Sequence, residues 1–469
     1  MAKTPLPNNF LSRLAELFGN EKLLTSPEDC WAYGFDNSRR HALPDAVVFA
    51  QNSEQIQQLV LLCNEFTIPL IPRGRGTGTT GATVPISGGV VLSLEQMDSI
   101  ISVDRDNRVA TVQPGVTNDA LQKAASAEGF FWPPDPTSSA FCTIGGNLAY
   151  NSAGPRAVKY GTPRENTLGL RAITGSGKAI KTGTYTTKGV VGYDLTRLLI
   201  GSEGQLAIIT EATLKLTPLA ETRRVMQALY SDMHSAARAV SSIMAQPITP
   251  CALEFIDGAA IDMIRHYSNA DLPADAGAML MIEVDGPIAG IDDAVNQVKN
   301  SASNSGLMSL TIANTQEQEA ALWRTRKALS PALRKVAPKK INEDVVVPVS
   351  RIPDLIEGLE SLSGIYDVKI VNFGHAGNGN IHVNLLVDPD DPQQMRNAEK
   401  CLDAVFALVL QLNGSLSGEH GVGLEKRDFV DRELEPNALA LMHDIKKLFD
   451  PKNILNPGKT LPQPSTNDK

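Results

Sequence analysis

Three of the seven histidines in this 469-residue chain, His375, His382 and His420, fall within 46 residues of sequence. In Asn372-Phe373-Gly374-His375-Ala376-Gly377-Asn378-Gly379-Asn380-Ile381-His382-Val383-Asn384, two imidazoles flank a glycine-rich turn, a spacing that can bring both rings to one point. Gly418-Glu419-His420-Gly421-Val422-Gly423 adds a carboxylate beside a third imidazole. Two imidazoles and a carboxylate suit a divalent metal, zinc most often, with iron or manganese also accommodated. Adjacent Glu419 and His420 point different ways, so one can ligate while the other serves as a base. A hydrogen-bonded core histidine explains any one of these residues alone better than it explains all of them together.

The second chemical feature is Pro72-Arg73-Gly74-Arg75-Gly76-Thr77-Gly78-Thr79-Thr80-Gly81, which follows an expected strand. Its glycines, hydroxyls and guanidinium groups suit a backbone wrapped around phosphate oxygens. Gly76 to Gly81 spells G-x-G-x-x-G, but Pro85 and the Gly88-Gly89 pair argue against the helix that a Rossmann site requires. A Walker loop fails too, because Ala82 stands where its lysine belongs. Two more glycine-bearing runs follow. One spans Asp135-Pro136 through Gly145-Gly146-Asn147 to Ser152 and Gly154, read as exposed backbone, and the other is Gly201-Ser202-Glu203-Gly204 before the strand Ile208-Ile209-Thr210. Three such runs in one region suggest an extended ligand with phosphates and rings. A substrate anion needs a partner as well: Arg326 and Ser330 lie four apart on one expected helical face, although residue types alone fit a solvated basic face better.

The elements that must position these groups divide the chain. Helical spacing runs from Phe10 to Tyr33, a buried strand follows at Pro44–Ala50, Ser53 caps a helix to Phe66, and Ile68–Pro72 is a strand. Strands and glycine- or proline-rich turns then alternate to Pro218. Residues 1–218 are therefore one strand-rich domain. After Pro218 come helical stretches at Ser235–Met244 and Gln316–Val336 and strands such as Ala278–Val284, so 219–430 is a second, α+β domain. A C-terminal segment, 431–469, holds a helix at Pro436–Leu448. The length fits the soft prior of roughly 150 residues per domain.

Composition narrows the partners. The formal charge is -9 with no long basic stripe, which argues against nucleic acid. No apolar run is long enough to span a bilayer and the N-terminus has no apolar signal core, so a cytoplasmic protein is expected, with peripheral attachment to the inner membrane left open. Five scattered cysteines form no C-x-x-C pair and are expected in the core. A homodimer is the base-rate expectation.

The order Arg73-Gly74-Arg75-Gly76-Thr77, Gly145-Gly146-Asn147, Gly201-Ser202-Glu203-Gly204 and Ile208-Ile209-Thr210 resembles the FAD-binding domain of the vanillyl-alcohol oxidase superfamily. The strings around His375, His382 and Asn384, Ser417 to Gly423, and Asn456-Pro457-Gly458-Lys459 are similar to the C-terminal domain of FAD-linked D-2-hydroxy-acid dehydrogenases. That family includes D-lactate and D-2-hydroxyglutarate dehydrogenases and the flavin subunit of glycolate oxidase. The resemblance implies an α+β fold: a two-part FAD domain, a substrate cap domain, and a C-terminal helical segment returning to the flavin. It implies that Arg73, Gly74, Arg75, Gly76, Thr77 and Gly78 hold the pyrophosphate. Asp135, Pro136, Gly145, Gly146, Asn147, Ser152, Gly154, Glu203, Gly204, Ile208, Ile209 and Asn456 would line the rest of FAD. With no histidine between His41 and His234, noncovalent FAD is expected.

Carried onto the second domain, the resemblance makes His375, His382 and Glu419 metal ligands, His420 the base, and Asn384 and Arg326 substrate contacts. Hydroxyglutarate-type members have threonine where Ser330 stands and lysine where Asn342 aligns, so a second substrate carboxylate loses its cation unless nearby Lys340 supplies one. D-lactate is accordingly favoured over D-2-hydroxyglutarate and glycolate, oxidised to the 2-oxo acid as a hydride passes to the flavin. The acceptor beyond is a quinone, a cytochrome or an electron-transfer flavoprotein. The residues alone also leave open a metal-dependent hydrolase with a nucleotide in the glycine loops, and a non-catalytic flavin subunit.

Overall fold

The structure is a computed structural model that describes residues 5–267, 272–327 and 339–463. Its chain forms two compact units by internal contacts. The first comprises Met1–Gly154, Gly161–Leu219 and Glu419–Lys469, and the second Pro155–Tyr160 and Ala220–Gly418. The last 51 residues thus belong with the first unit from Glu419 onward.

The first unit opens with the helix Asn8–Phe18, which buries Phe10, Leu14 and Phe18 at four-residue spacing. The continuous helical stretch expected to Tyr33 does not form. The chain breaks at Gly19, whose φ is +76°, passes through strand β1 (Leu23–Leu24), and restarts as a short helix, Pro27–Cys30, capped by Ser26. Strand β2 (Ala46–Phe49), the helix Ser53–Phe66, β3 (Leu70–Arg73) and β4 (Val90–Ser93) complete a four-stranded sheet ordered β1-β2-β4-β3. The cap of that helix is Asn52, which accepts from the Gln55 amide, one residue before the expected Ser53. Strands β5 (Ile100–Asp104), β6 (Val109–Val112), β8 (Thr167–Thr174), β9 (Ala179–Gly183) and β10 (Ala207–Lys215) form an antiparallel sheet ordered β5-β6-β10-β8-β9. Strand β7 (Phe130–Phe131) pairs with β11 (Thr217–Pro218).

The returning C-terminal segment is tied into this unit by hydrogen bonds that leave little slack. Asn456 N donates to Leu70 O at 2.9 Å, at the edge of β3. The helix Pro436–Phe449 ends on buried Lys446, whose Nζ donates to Gln205 O, Leu455 O and Asp450 Oδ2 at 2.6–2.8 Å. Burial pulls the Lys446 pKa down and the Asp450 carboxylate opposes that pull.

The second unit is built on a seven-stranded antiparallel sheet ordered β15-β12-β14-β13-β17-β18-β16. Its strands are β12 (Thr222–Tyr230), β13 (Ala252–Asp257), β14 (Ala278–Gly286), β15 (Leu307–Ile312), β16 (Lys339–Val346), β17 (Lys369–His375) and β18 (Asn380–Val387). Helices Met233–Met244, Ile291–Ala302, Ile352–Tyr366 and Pro392–Gln411 pack side by side. The helix Gly258–Tyr267, with Leu322 and Trp323 of the helix Gln316–Lys327, packs on Val225, Ile256, Met279, Met281 and Phe373. Period-2 alternation along the strands sends those residues to one face and leaves one end of that same face polar. All five cysteines are buried thiols, and no described helix is long and apolar enough to cross a membrane.

Candidate active site

The polar end of the second unit's sheet is assembled by a hairpin. Strands β17 and β18 pair with Phe373 opposite His382 and His375 opposite Asn380. The turn between them closes through Gly379 at φ +74°, where a Cβ would fall 1.8 Å from Val347 O, so no other residue fits there. The His375 and His382 rings, 6% and 7% exposed, meet edge to face with centroids 5.3 Å apart. His375 Nδ1 is hydrogen-bonded to Glu254 Oε1 of β13, a carboxylate that fixes the ring and leaves its other nitrogen for a ligand.

Glu419 reaches the pair because of what precedes it. Residues Val346 and Ser415 exchange backbone hydrogen bonds, Ser417 Oγ donates to the buried Asp344 carboxylate, and Gly418 N donates to Asp344 O and Oδ2 at 2.8 and 2.9 Å. Glu419 is bonded to Gly418, so these anchors set where its carboxylate begins. One donor atom from each of His375, His382 and Glu419 lies within 4.8 Å of the others. That is a borderline donor set of nitrogen and oxygen in the number a divalent cation takes with open positions left over, and the residues fit such a metal.

Beyond Glu419 the chain is held by the first unit. Thr80 Oγ1 donates to His420 O, Leu424 N donates to Thr80 O, and the buried Glu203 carboxylate accepts from Val422 N, Gly423 N and Thr460 Oγ1. His420 Nε2 lies 3.9 Å from Glu419 Oε1.

Asn384 of β18 is fully buried; its amide donates to Val371 O and His382 O, and it stands directly opposite Asn342 of β16. Lys340, two residues from Asn342 on the same strand, shares that face by register. The helix carrying Arg326 is anchored to the sheet through Trp323, whose Nε1 donates to buried Glu283 at 3.3 Å. Ser330 and the side chain of Arg326 lie outside the described residues.

In the first unit the glycine loop leaves β3 without starting a helix. Its two arginines diverge. Arg73 is buried, donates to Phe35 O and Thr83 Oγ1, and neighbours buried Asp36, whereas Arg75 is exposed. Gly74 packs on Thr143 and Gly78 on Tyr150, so Thr77 and its neighbours lie in a tightly backed turn. The run expected as exposed backbone contains a helix, Ile144–Tyr150, which Thr143 caps by accepting from Gly146 N. The glycine pair opposes helix propensity, and the cap together with packing against Pro114 overrides it. A Cβ on Gly145 would strike Pro114 at 2.6 Å, but on Gly146 it would meet only Thr143 Oγ1, at 3.3 Å. Gly146 therefore keeps a cradle that the protein itself does not fill, which suits a flat or phosphorylated ligand.

Other expected cofactor residues are held by contacts within the first unit. Asn147 Nδ2 donates to Ser152 Oγ, Gly154 closes against the Asp135 backbone beside Pro136, and Asn456 links Glu203 O to Lys459 Nζ. Ile208 and Ile209 are buried on β10 beside Gly204 and pair with Ile173 and Ala172 of β8. Sequence reasoning missed Glu254, Asp344, Asp36 and Lys459. Glu254 signalled itself only as an acid flanked by apolar residues in β13, whereas Asp344 follows a polar run in β16 and carried no such signal.

The family matches make the class of this fold that of the flavin-dependent oxidoreductases. Residues 219–460 match the C-terminal domain of FAD linked oxidases and residues 44–183 an FAD binding domain, so the chain belongs to the FAD-linked oxidases and binds FAD. It is 38% identical to "Glycolate oxidase subunit GlcD" of Bacillus subtilis over 95% of each chain. It is 36% identical to "D-lactate dehydrogenase" of Archaeoglobus fulgidus over 96% of this chain and 98% of that one. A solved p-cresol methylhydroxylase superposes with a TM-score of 0.78 at 18% identity, covering 97% of both chains, and shares the vanillyl-alcohol oxidase type of fold.

Proposed function

We propose that this protein oxidises a small D-2-hydroxy acid to its 2-oxo acid, reducing noncovalently bound FAD, and that D-lactate is the substrate. The observation that carries the reading is the convergence of His375, His382 and Glu419 within 4.8 Å, with His420 next in the chain. When bound, FAD accepts two electrons and a divalent cation, zinc in the simplest case and iron or manganese otherwise, supplies Lewis-acid polarisation. His375, His382 and Glu419 would hold the cation. His420 takes the substrate hydroxyl proton at Nε2, the nitrogen facing Glu419. Asn384 stiffens β18 beside His382, and Arg326 with Ser330 binds the substrate carboxylate, which orients C2 for hydride transfer.

Small substrates suit the site face, where neutral amides, Asn342 and Asn384, pair across β16 and β18 beside His382. Lys340 on that face is the residue that would admit a second carboxylate. Glycolate is the competing substrate, supported by the 38% identity to a glycolate oxidase subunit. A quinone, cytochrome or electron-transfer flavoprotein would reoxidise the flavin.

Anaerobic titration of the flavin band with D-lactate, L-lactate, glycolate and D-2-hydroxyglutarate tests this. D-lactate bleaches the band at the lowest concentration, chelator abolishes bleaching, and H420A keeps FAD while reduction slows by about 10²–10⁴-fold. Bleaching by glycolate alone replaces the substrate, and undiminished reduction in H420A removes the base.

A further inference from the structure

The opposite face of the second unit's sheet carries a separate cavity of about 430 Å³, at the ends of β13 and β17 and the starts of helices Met233–Met244 and Gly258–Tyr267. Its polar lining is made of acceptors. Asp257 and Asp232 are fixed by amides of their own turns, Glu360 stands exposed on the helix Ile352–Tyr366, and no lysine, arginine or histidine is among the described lining residues. Met233, Leu359 and Ile370 supply an apolar wall.

Asn372 gives an independent sign of a ligand. It is 3% exposed, lines the cavity, and its Oδ1 accepts no hydrogen bond from any described residue. A buried acceptor left without a donor is destabilising, so a donor from outside is expected to meet it. Asp257 is in the same situation electrostatically: burial and the neighbouring Glu360 charge hold its carboxyl up at about 7, with amides of Ala260 and Asn372 pulling the other way. Asp257, Glu360 and Asn372 thus line one cavity with no basic side chain among its described lining residues.

We infer that this cavity binds a small molecule bearing a primary ammonium group on a short aliphatic body. The ammonium has three donors and no acceptor, which matches Asn372 Oδ1, Asp257 and Glu360, and the aliphatic part lies on Leu359, Ile370 and Met233. The site is distinct from the imidazole cluster, since strand alternation sends Asn372 and Asp257 to the face opposite Glu254 and His375.

The test is isothermal titration of the FAD-loaded full chain with n-butylammonium chloride, with sodium chloride at equal ionic strength as reference. Saturable one-site binding is expected, weakened at least tenfold in E360Q, whose exposed side chain is not needed for folding, and in A259L, which fills the cavity without changing charge. Heats no larger than those of sodium chloride overturn the inference, as does unchanged affinity in both variants. Neither result bears on the substrate of the flavin site.

Discussion

Arg73 and Arg75 stand two positions apart in one loop, and burial separates their roles. Arg73 is 7% exposed and its Nη1 donates to Phe35 O and Thr83 Oγ1 beside Asp36, so it braces the loop from behind. Arg75 faces solvent, which leaves its guanidinium accessible, and it is the one we propose for a phosphate. R75A should weaken FAD about tenfold while leaving the apoprotein's unfolding midpoint in place. R73A should instead lower stability by about 3 kcal/mol, because it strands a buried carboxylate. Flavin fluorescence titration and denaturant unfolding separate the two, and an unchanged FAD affinity in R75A would remove that cation from the phosphate site. At this scale the sequence showed rare side chains well: seven histidines among 469 residues make a cluster of three visible. Glu254 and Asp344 were invisible as site residues because a carboxylate's importance here comes from being buried, and burial is a tertiary property.

Among the elements, the hairpin β17–β18 carries two of the three metal candidates, His375 and His382, and one residue shapes it. In G379A the left-handed φ costs about 1–2 kcal/mol before any contact is counted, and the new Cβ would overlap Val347 O. The turn must then shift, which separates His375 from His382. Purified G379A should retain FAD but lose metal by elemental analysis and melt below the parent. G364A, where a Cβ meets nothing within 4 Å and the helix gains propensity, should keep its metal and melt no lower. Equal metal content in the two variants would sink the role of the turn. Elements were legible where periodicity and breakers agreed, as in Ser53–Phe66 and Pro436–Phe449. They failed where a tertiary contact overrode local preference. Gly145-Gly146 reads as loop, yet the Thr143 cap and the close approach to Pro114 make it the first turn of a helix.

For the whole molecule, the path of the chain was the least legible feature, because the stretch Pro155–Tyr160 and the return at Glu419 are decided by long-range contacts and not by composition. Each unit holds a buried group whose pKa is moved to about 7, Lys459 in the first and Asp257 in the second, and the two act with opposite sign. Lys459 donates to Ala82 O and Asn456 Oδ1; burial lowers its pKa to about 7, against the pull of Asp36 and Glu203. The unfolded side chain titrates near about 10.4, so between about pH 7 and 10 the unfolded state binds the extra proton and stability rises with pH. Asp257 is the reverse. Held at about 7 when folded against about 3.9 unfolded, it keeps a proton that the unfolded chain has lost, so its contribution is full below pH 4 and falls as pH rises through 7. K459M should therefore flatten the rise in unfolding midpoint between pH 7 and 9, and D257N should flatten the fall between pH 4 and 7, each leaving the other limb in place. Urea midpoints across that range decide it: a parent-like slope above pH 7 in K459M would mean that the lysine is solvated or charged when folded, and that the Ala82–Asn456 cradle tolerates the proton.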